Sequence, residues 1–564
     1  MVKTVQGINL ESEFSTVIIP LEGNNIGDVS SILDKVASFH SIFIKEYTLS
    51  TSTLTIRSKL PFLWRESANT LNDLSESRIT LKKAEEYIIG SLIKNRIKSM
   101  STIPILESAH KTKLETTTAI LETPINKGLS EGYSTVFNRY FVIGCGKGSQ
   151  ITGSIASSKD AYIAQKIQKD KWSTNILIER LNLPLPKWQV ISNEKELEEM
   201  WDDFEKPVVI KPTGLTGGKG VTVGIDSIEK ANKAFNFAIK AVGDQNRGEW
   251  QKKIMIQEQV KGEDYRLLVI NGKLEIVTKR IPAFIIGDGK NTIKELIEKE
   301  NEDPRRNVFN PAHILKPIVI DAPLTEYLEE QGLTLTSIPQ KGEKVNVRKV
   351  ASMSQGGITE DFTDMVSKEI KIIVESIAQS VHAFTLGVDV MCLDISKPLT
   401  KDNGAILEIN TMPESYLNFF PVIGKQRSYV ADIYLKELLK ENECKKFVVI
   451  GQPKDDIPTL LRKRWTIKKE NTVGEIIEDR YYINGIQINE DLERWEAVEA
   501  IKCNASLDVI ILHSRDWSDV KEHGLGFDHI NCLYITKEQS LDKENMKIVN
   551  KYKTAKLIDK IKTI

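Results

Sequence analysis

The chain has 564 residues, 40% of them hydrophobic, more than one core's worth of polypeptide, so two to four domains are expected. Lys and Arg number 77 against 78 Asp and Glu, so the basic excess that favours binding to a nucleic-acid backbone is missing and no nucleic-acid partner is expected. The five cysteines, Cys145, Cys392, Cys444, Cys503 and Cys532, form no CxxC pair and no metal-ligand spacing with histidine, which points to reduced thiols in a cytoplasmic protein without a zinc site.

The opening "MVKTVQGINLESEFST" lacks the uninterrupted apolar core of a signal peptide. No later stretch approaches the roughly 18 apolar residues that span a bilayer, so no membrane partner is expected. The first third mixes strand-like runs, "TVIIPL" and "TLTIRS", with a helix reading "TLKKAEEYIIGSLIKNRI", which describes an α/β unit. Next comes "FVIGCGKGS", whose glycines at Gly144, Gly146 and Gly148 do not form GxGxxG, so a glycine-rich turn is expected rather than a dinucleotide loop. From Lys171 the pattern runs helix, strand "PVVIK", glycine loop, helix "IEKANKAFNFAIKAV" and strands "IMIQEQV", "YRLLVI" and "KLEIVTKR", an α+β block. After "YLKELLKENECKK" the run "FVVIGQ" opens a last small α/β unit. There "VVIGQPKDDIPTLL" stands where a phosphate cradle could sit, but Pro453 removes an N–H and the loop lacks a second Gly and a GK[ST] ending. His513, His523 and His529 cluster in this tail without the acid or Cys spacing of a ligand set, and receive no role.

Two stretches carry chemistry. In "KPTGLTGGKGV", Gly214, Gly217, Gly218 and Gly220 let a backbone fold over a phosphate chain, and Lys211 at the strand end supplies a point charge. The second, "LGVDVMCLDISKPLTKDNGAILEINTMP" (Leu386–Pro413), reads as a hairpin whose loop holds Lys, Pro and Asn-Gly turn residues. Glu408 and Asn410 share one strand face. Pairing Asp394 with Asn403 sets Asp389 across from Glu408, and facing carboxylates repel unless a hard divalent cation sits between them with Asn410 adding a neutral oxygen. Mg²⁺ is the natural ion. A register that separates the two acids, or a solvated sheet face, is the bland alternative.

Lys211, the glycine loop, "IQEQVKGEDYR" and "GVDV…LEIN", in this order, resemble the ATP-grasp fold. The similarity is closer still to cyanophycin synthetases, which carry counterparts of "DYRLLVINGKLEIVTKRIPAFIIGDGKNTIKELIEKENEDPRRN", "SMSQGGITEDFTD", "STIPILESAH" and "NRYFVIGCGKGSQITGSI". The tail stretch "VIILHSRDWSDVKEHGLGFDHINCLYIT" looks like a piece of the Mur-ligase domain of those enzymes, with "IGQPKDD" as its decayed P-loop. The resemblance implies an α/β and α+β multidomain chain: an N-terminal domain over 1–160, an ATP-grasp domain over 161–442, and a truncated Mur-ligase-like domain over 443–564.

It also implies an ATP-dependent ligase in which ATP phosphorylates a carboxylate and an amine attacks the acyl phosphate, with amino acids or peptides as substrates and a dimer or tetramer as the assembly. By resemblance, Lys171 and Lys211 reach the α and β phosphates, the backbone at Glu258 and Val260 and the side chain of Gln257 meet adenine, and Asp264 bonds the ribose. Asp389, Glu408 and Asn410 hold two Mg²⁺ ions, Arg280 stabilises the acyl phosphate or oxyanion, and Arg266 and Ser354 lie near the substrate. Four side chains depart from the family pattern of His, Asn, Arg and His: they are Thr216, Ser352, Tyr416 and Asn418. Gln257 stands where the pattern has Glu. Losing cationic and hydrogen-bonding groups costs selectivity for an aspartyl polymer, each charged hydrogen bond being worth about 1.5–3 kcal/mol. A shorter relative that joins preformed β-aspartyl-arginine dipeptides is the nearest precedent. Glutathione-type ligation and a non-catalytic nucleotide-binding scaffold are the competing readings.

Overall fold

Alternation of apolar and polar residues builds the sheet that matters most. The computed structural model describes residues 2–96, 102–118, 140–215, 218–243, 253–411, 413, 415–439, 444–452, 468–488 and 492–564. The chain forms two compact units, one of residues 158–307 with 313–430, the other of residues 1–157 with 308–312 and 431–564.

The first of these holds a five-stranded antiparallel sheet ordered Ile358–Asp361, Lys273–Ile281, Glu263–Ile270, Thr385–Cys392, Gly404–Thr411. Successive side chains point to opposite faces. Tyr265, Leu267, Val269, Val277, Val388, Val390, Ile406 and Ile409 therefore turn to one side, where they form a core with Ile370, Val374 and Ile377 of the helix Lys368–Ser380. Asp264, Arg266 and Asp389 belong to the other parity. A second sheet, ordered Thr222–Ile225, Val208–Pro212, Ile254–Glu258, Trp188–Ile191, packs Val208, Ile210, Ile254 and Ile256 against Ala231, Ala234, Phe235 and Ala238 of the helix Ile228–Val242. Between Ile281 and Ile358 the chain builds a small lobe. Its two strands Phe284–Ile286 and Lys344–Asn346 pack with the helices Ile293–Asn301 and Ala322–Glu330 around Ile285, Ile297, Leu324 and Val345.

The other unit joins the two ends of the chain. Near the N-terminus a four-stranded antiparallel sheet is ordered Lys3–Val5, Ser15–Pro20, Thr53–Ser58, Glu46–Leu49. The C-terminal block is a seven-stranded sheet in which Val473–Ile477, Val509–Ser514, Lys445–Ile450, Cys532–Ile535 and Ile561–Thr563 run parallel and in that spatial order. Ile8 and Cys145, from the N-terminal side, belong to its core beside Val448, Ile510 and Phe527. The backbone stitches the blocks together: Gln6 N–H donates to His523 O (2.9 Å), Ile8 N–H to Phe527 O (2.9 Å) and Leu525 N–H to Ile8 O (2.7 Å).

The glycine-rich "FVIGCGKGS" is a turn between the antiparallel strands Phe141–Ile143 and Gln150–Gly153, and Lys147 N–H donates to Leu507 O at 2.8 Å. After Lys445–Ile450, Gly451 adopts φ +101°, and a Cβ there would stand 2.1 Å from Thr536 Oγ1, so close packing explains this glycine without a phosphate. Pro453 and the rest of "PKDDIPTLL" lie outside the described residues.

Because the two blocks share one core, a chain ending at residue 443 is expected to lose the N-terminal fold as well as the tail. Ile8 and Cys145 would be uncovered and the stitching carbonyls removed. Thermal unfolding with limited proteolysis checks this. A protease-resistant 1–157 segment in the truncated chain would contradict it.

Candidate active site

The five-stranded sheet turns its second face into a row of charged groups because register and parity coincide on four strands. Asp264 pairs with Arg280, Arg266 with Asp389, and Asp389 with Glu408, while Asn410 faces Gly387. Asp389 thus lies across from Glu408, although not by the simple count from the loop. At the turn Cys392 pairs with Gly404 and Leu393 N–H donates to Asn403 O (2.8 Å). A bulge between Asp389 and Val390 then leaves Leu407 as the extra residue and restores the Asp389–Glu408 pair.

Cations surround these acids. Arg266 Nε donates to Asp389 Oδ1, and Arg266 Nη2 to Asp389 Oδ2 at 3.1 Å. Arg280 Nη2 bridges Asp389 Oδ2 (3.0 Å) and Asp264 Oδ1 (2.6 Å). Burial pushes the Asp389 carboxyl up, but Arg266 and Arg280 outweigh it and hold it below the usual carboxylate range. Burial also raises Asp264, opposed by Arg280 and reinforced by the charge of Asp389. For Arg280, burial acts against the guanidinium, while Asp389 and Asp264 keep it charged.

Two lysines approach, Lys211 from the second sheet and Lys171 from a helix whose Ile178 lies in the core of the five-stranded sheet. Lys171 opens the helix Lys171–Arg180, whose first turn is capped by Asp170 through Trp172 N–H (3.2 Å) and Ser173 N–H (3.0 Å). Its Nζ donates to Leu215 O (2.8 Å) and to Glu408 Oε1 (3.3 Å), which ties the glycine-loop strand end to the acidic face. Lys211 Nζ donates to Gln257 Oε1 at 2.6 Å. Burial, then the like charge of Lys171, lowers Lys211 to about 8, against the pull of Glu408.

Asp264 Oδ1 accepts from Arg280 Nε (3.1 Å) and Nη2 (2.6 Å). Glu258 N–H donates to Lys187 O (2.9 Å), and its Oε1 accepts from Glu205 N–H (3.1 Å). Val260, two residues on, is half-buried. Gly218 and Gly220 adopt φ +75° and +70°; a Cβ on Gly220 would meet Ala241 Cβ at 2.8 Å, whereas Gly218 has open space around it. Gly214 is buried. Gly217 and Thr216 lie outside the described residues. Ser354 sits in the turn Met353–Gln355 of the inserted lobe, its hydroxyl 2.9 Å from Ser352 Oγ and not in the arginine network.

Sequence reasoning missed Gly387, where a Cβ would stand 2.9 Å from Arg266 Cδ and 3.1 Å from its Nη1, so that Arg266 needs a bare strand to lie across. It also missed Thr278, which donates to Asn418 Oδ1 at 3.0 Å. The only signal for Gly387 was a glycine interrupting an apolar strand.

The donor chemistry fits a hard cation. The hard donors on this face are the Asn410 carboxamide oxygen and the carboxylate oxygens of Glu408 and Asp389, of which Glu408 Oε1 meets Lys171 and Asp389 Oδ2 meets both arginines. Among the described residues no three His, Cys, Asp or Glu cluster as a metal site.

Residues 169–280 match the ATP-grasp (A) domain of phosphoribosylglycinamide synthetase, and the chain carries an ATP-grasp domain. It is 36% identical over 278 residues to the cyanophycin synthetase of Crocosphaera subtropica, covering 49% of this chain and 31% of that one. Identity to the Synechocystis sp. cyanophycin synthetase is 31% over 391 residues, 68% of this chain and 44% of that one. The glutathione biosynthesis bifunctional protein of Clostridium perfringens is 31% identical over 274 residues, 48% of this chain and 34% of that one. The chain is a homologue of the cyanophycin synthetases, and it spans less than half the length of these relatives.

Proposed function

We propose that the chain is an ATP-dependent carboxylate–amine ligase that forms an amide or isopeptide bond on an amino acid or peptide through an acyl phosphate. The observation that carries this is one sheet face bearing Asp389 across from Glu408, two arginines on the Asp389 side and Lys171 on Glu408. Lys171 and Lys211 bind the phosphates, the buried Lys211 as a point charge and Lys171 as a bridge to Glu408. Asp389, Glu408 and Asn410 hold two Mg²⁺ ions, which spread the charge of the transferred phosphoryl group when bound. Asp389 orients Arg266 and Arg280 through fixed hydrogen bonds, so the guanidiniums meet developing oxyanion charge without reorganising. The backbone at Glu258 and Val260 meets the adenine, and Ser354 lies on the substrate side.

The first substrate class is a dipeptide such as β-aspartyl-arginine, with a glutathione-type acid and amine second, which the similarity to the Clostridium perfringens protein supports. Residues 443–564 are a Mur-ligase-like domain retained as the second half of the N-terminal core rather than as a catalyst. Among the described residues no helix is long and apolar enough to cross a membrane, and the proposed setting is a cytoplasmic dimer or tetramer. Phosphate release measured with pools of amino acids and dipeptides tests the ligase. Release that depends on one carboxylate and one amine is expected, and ATP binding without release in any pool would favour a non-catalytic scaffold.

Lys211 gives a second expectation. Its ammonium loses its proton as pH rises through about 8 in the free chain, so ATP affinity falls above that pH. Gln257→Glu places a carboxylate 2.6 Å from the ammonium and raises its pKa, which moves the alkaline loss of affinity upward. Calorimetric titration across pH checks it, and superimposable profiles for the two proteins would remove the assignment.

A further inference from the structure

The turn after Phe141–Ile143 carries a nucleophile for which the ligase reaction has no use. Cys145 and Cys444 are both buried free thiols, 5% and 2% exposed, in one apolar core. A Cβ on Gly146 would lie 2.5 Å from Cys444 Cβ and 2.6 Å from its Sγ, so the Cys444 side chain rests directly on the residue that follows Cys145. The Cys444 thiol donates to its neighbour Lys445 O at 3.7 Å. Around them stand three buried ionised groups, Glu115, Lys446 and Lys502.

We propose that Cys145 and Cys444 are a redox pair that a small peroxide converts to an intramolecular disulfide, cross-linking the N-terminal and C-terminal blocks of their unit. Cys145 precedes the whole ATP-grasp unit in sequence and Cys444 follows it, so the bond closes a loop around that domain without entering it. The neighbouring Cys444 and the ammonium groups of Lys446 and Lys502, against burial, hold the Cys145 thiol below its usual range. With Cys145 attacking and Cys444 resolving, or in the reverse order, the products are the same disulfide and the same two waters.

In the first step the Cys145 thiolate attacks one peroxide oxygen, the O–O bond breaks, and the departing hydroxide takes up a proton as water, leaving a sulfenic acid. The Cys444 sulfur then attacks the sulfenic sulfur. The S–S bond forms, the S–O bond breaks, and the hydroxide leaves with the Cys444 proton as a second water. Two thiols and one hydrogen peroxide give one disulfide and two waters, the two electrons passing to the peroxide. Burial keeps larger disulfide oxidants away from both sulfurs, which is why a small neutral oxidant is specified.

The test treats the folded full chain with hydrogen peroxide, removes the excess, alkylates the remaining thiols in denaturant and maps the peptides by mass spectrometry. The expected result is loss of two of the five thiols, a linked Cys145–Cys444 peptide pair, reversal by dithiothreitol and a raised unfolding midpoint in the oxidised chain. Cys444→Ser, or Cys444→Ala should the serine variant fail to fold, is expected to trap Cys145 as the sulfenic acid. Five alkylatable thiols after treatment would overturn the proposal. So would linkage of Cys145 to another cysteine, or Cys145 oxidised beyond the sulfenic acid with Cys444 still free. The readout does not depend on ligase activity, so its failure leaves the catalytic reading untouched.

Discussion

Glu408→Gln is expected to lower ATP-dependent turnover by ~100-fold or more while leaving the unfolding midpoint nearly unchanged, the size seen when one preorganised electrostatic contact to a transition state is removed. The substitution keeps the shape of the side chain and an oxygen able to accept from Lys171, now 3.3 Å from Glu408 Oε1, and it removes only the charge. Glu408 is partly exposed, so no buried cation loses its sole partner: Lys171 retains Leu215 O at 2.8 Å. What is lost is one of the two facing carboxylates, and with it the negative charge that a divalent cation and a triphosphate need to share the site. Phosphate release against Mg²⁺ concentration, with thermal unfolding in parallel, measures both halves. Unchanged turnover would end the metal assignment. Asp389→Asn is a different experiment, because that carboxylate is the common partner of Arg266 and Arg280 and its loss leaves Arg266 without its carboxylate and Arg280 with Asp264 alone.

Glu115→Ala is expected to destabilise the unit formed by the chain ends by about 3–5 kcal/mol, the cost of leaving buried charges without their partner. Glu115 is 1% exposed, and its carboxylate meets Lys502 Nζ at 2.8 Å and Lys446 Nζ at 3.2 Å, both lysines being buried as well. It also accepts from the backbone N–H of Asp528 (2.8 Å) and His529 (3.3 Å). The glutamate comes from the N-terminal block and these partners from the C-terminal one, so the side chain adds a buried ionic tie to the backbone bonds and apolar core that join the two. Burial pushes its pKa up, yet Lys502 and Lys446 outweigh that and lower it to about 2. Because the folded pKa lies below the unfolded one, the stability it contributes is fully present above about pH 4.5 and is lost as pH falls toward 2. Chemical denaturation from pH 7 down to pH 3 checks the sign. A wild-type profile that Glu115→Ala reproduces over that range would show that the carboxylate contributes nothing.

Much of the unit that carries the candidate site was legible because strand periodicity is a local property. "YRLLVI", "KLEIVTKR" and the hairpin from Leu386 read as strands from their alternation, and they form neighbouring strands of one sheet. The Asp389–Glu408 pairing also followed from counting, although the bulge at Leu407 shows that the count reached the right pair with the loop end out by one residue. Arg266 and Arg280 were visible as charged residues in strands, but nothing local says that both close on Asp389, or that Asp264 closes on Arg280. Those contacts need three strands side by side and a bare Gly387 between them.

The composition and hydrophobic periods by themselves determined that this is a multidomain α/β and α+β chain with its glycine loop and facing acids on neighbouring elements. They could do so because period two and turn chemistry are written within a few consecutive residues. Only the tertiary structure decided that the first and last blocks share a core around Glu115 and Phe527, that Cys145 rests beside Cys444, and that arginines neutralise Asp389. Each of these is set by burial, which brings together residues hundreds of positions apart and makes a charge or thiol depend on neighbours that no local pattern names.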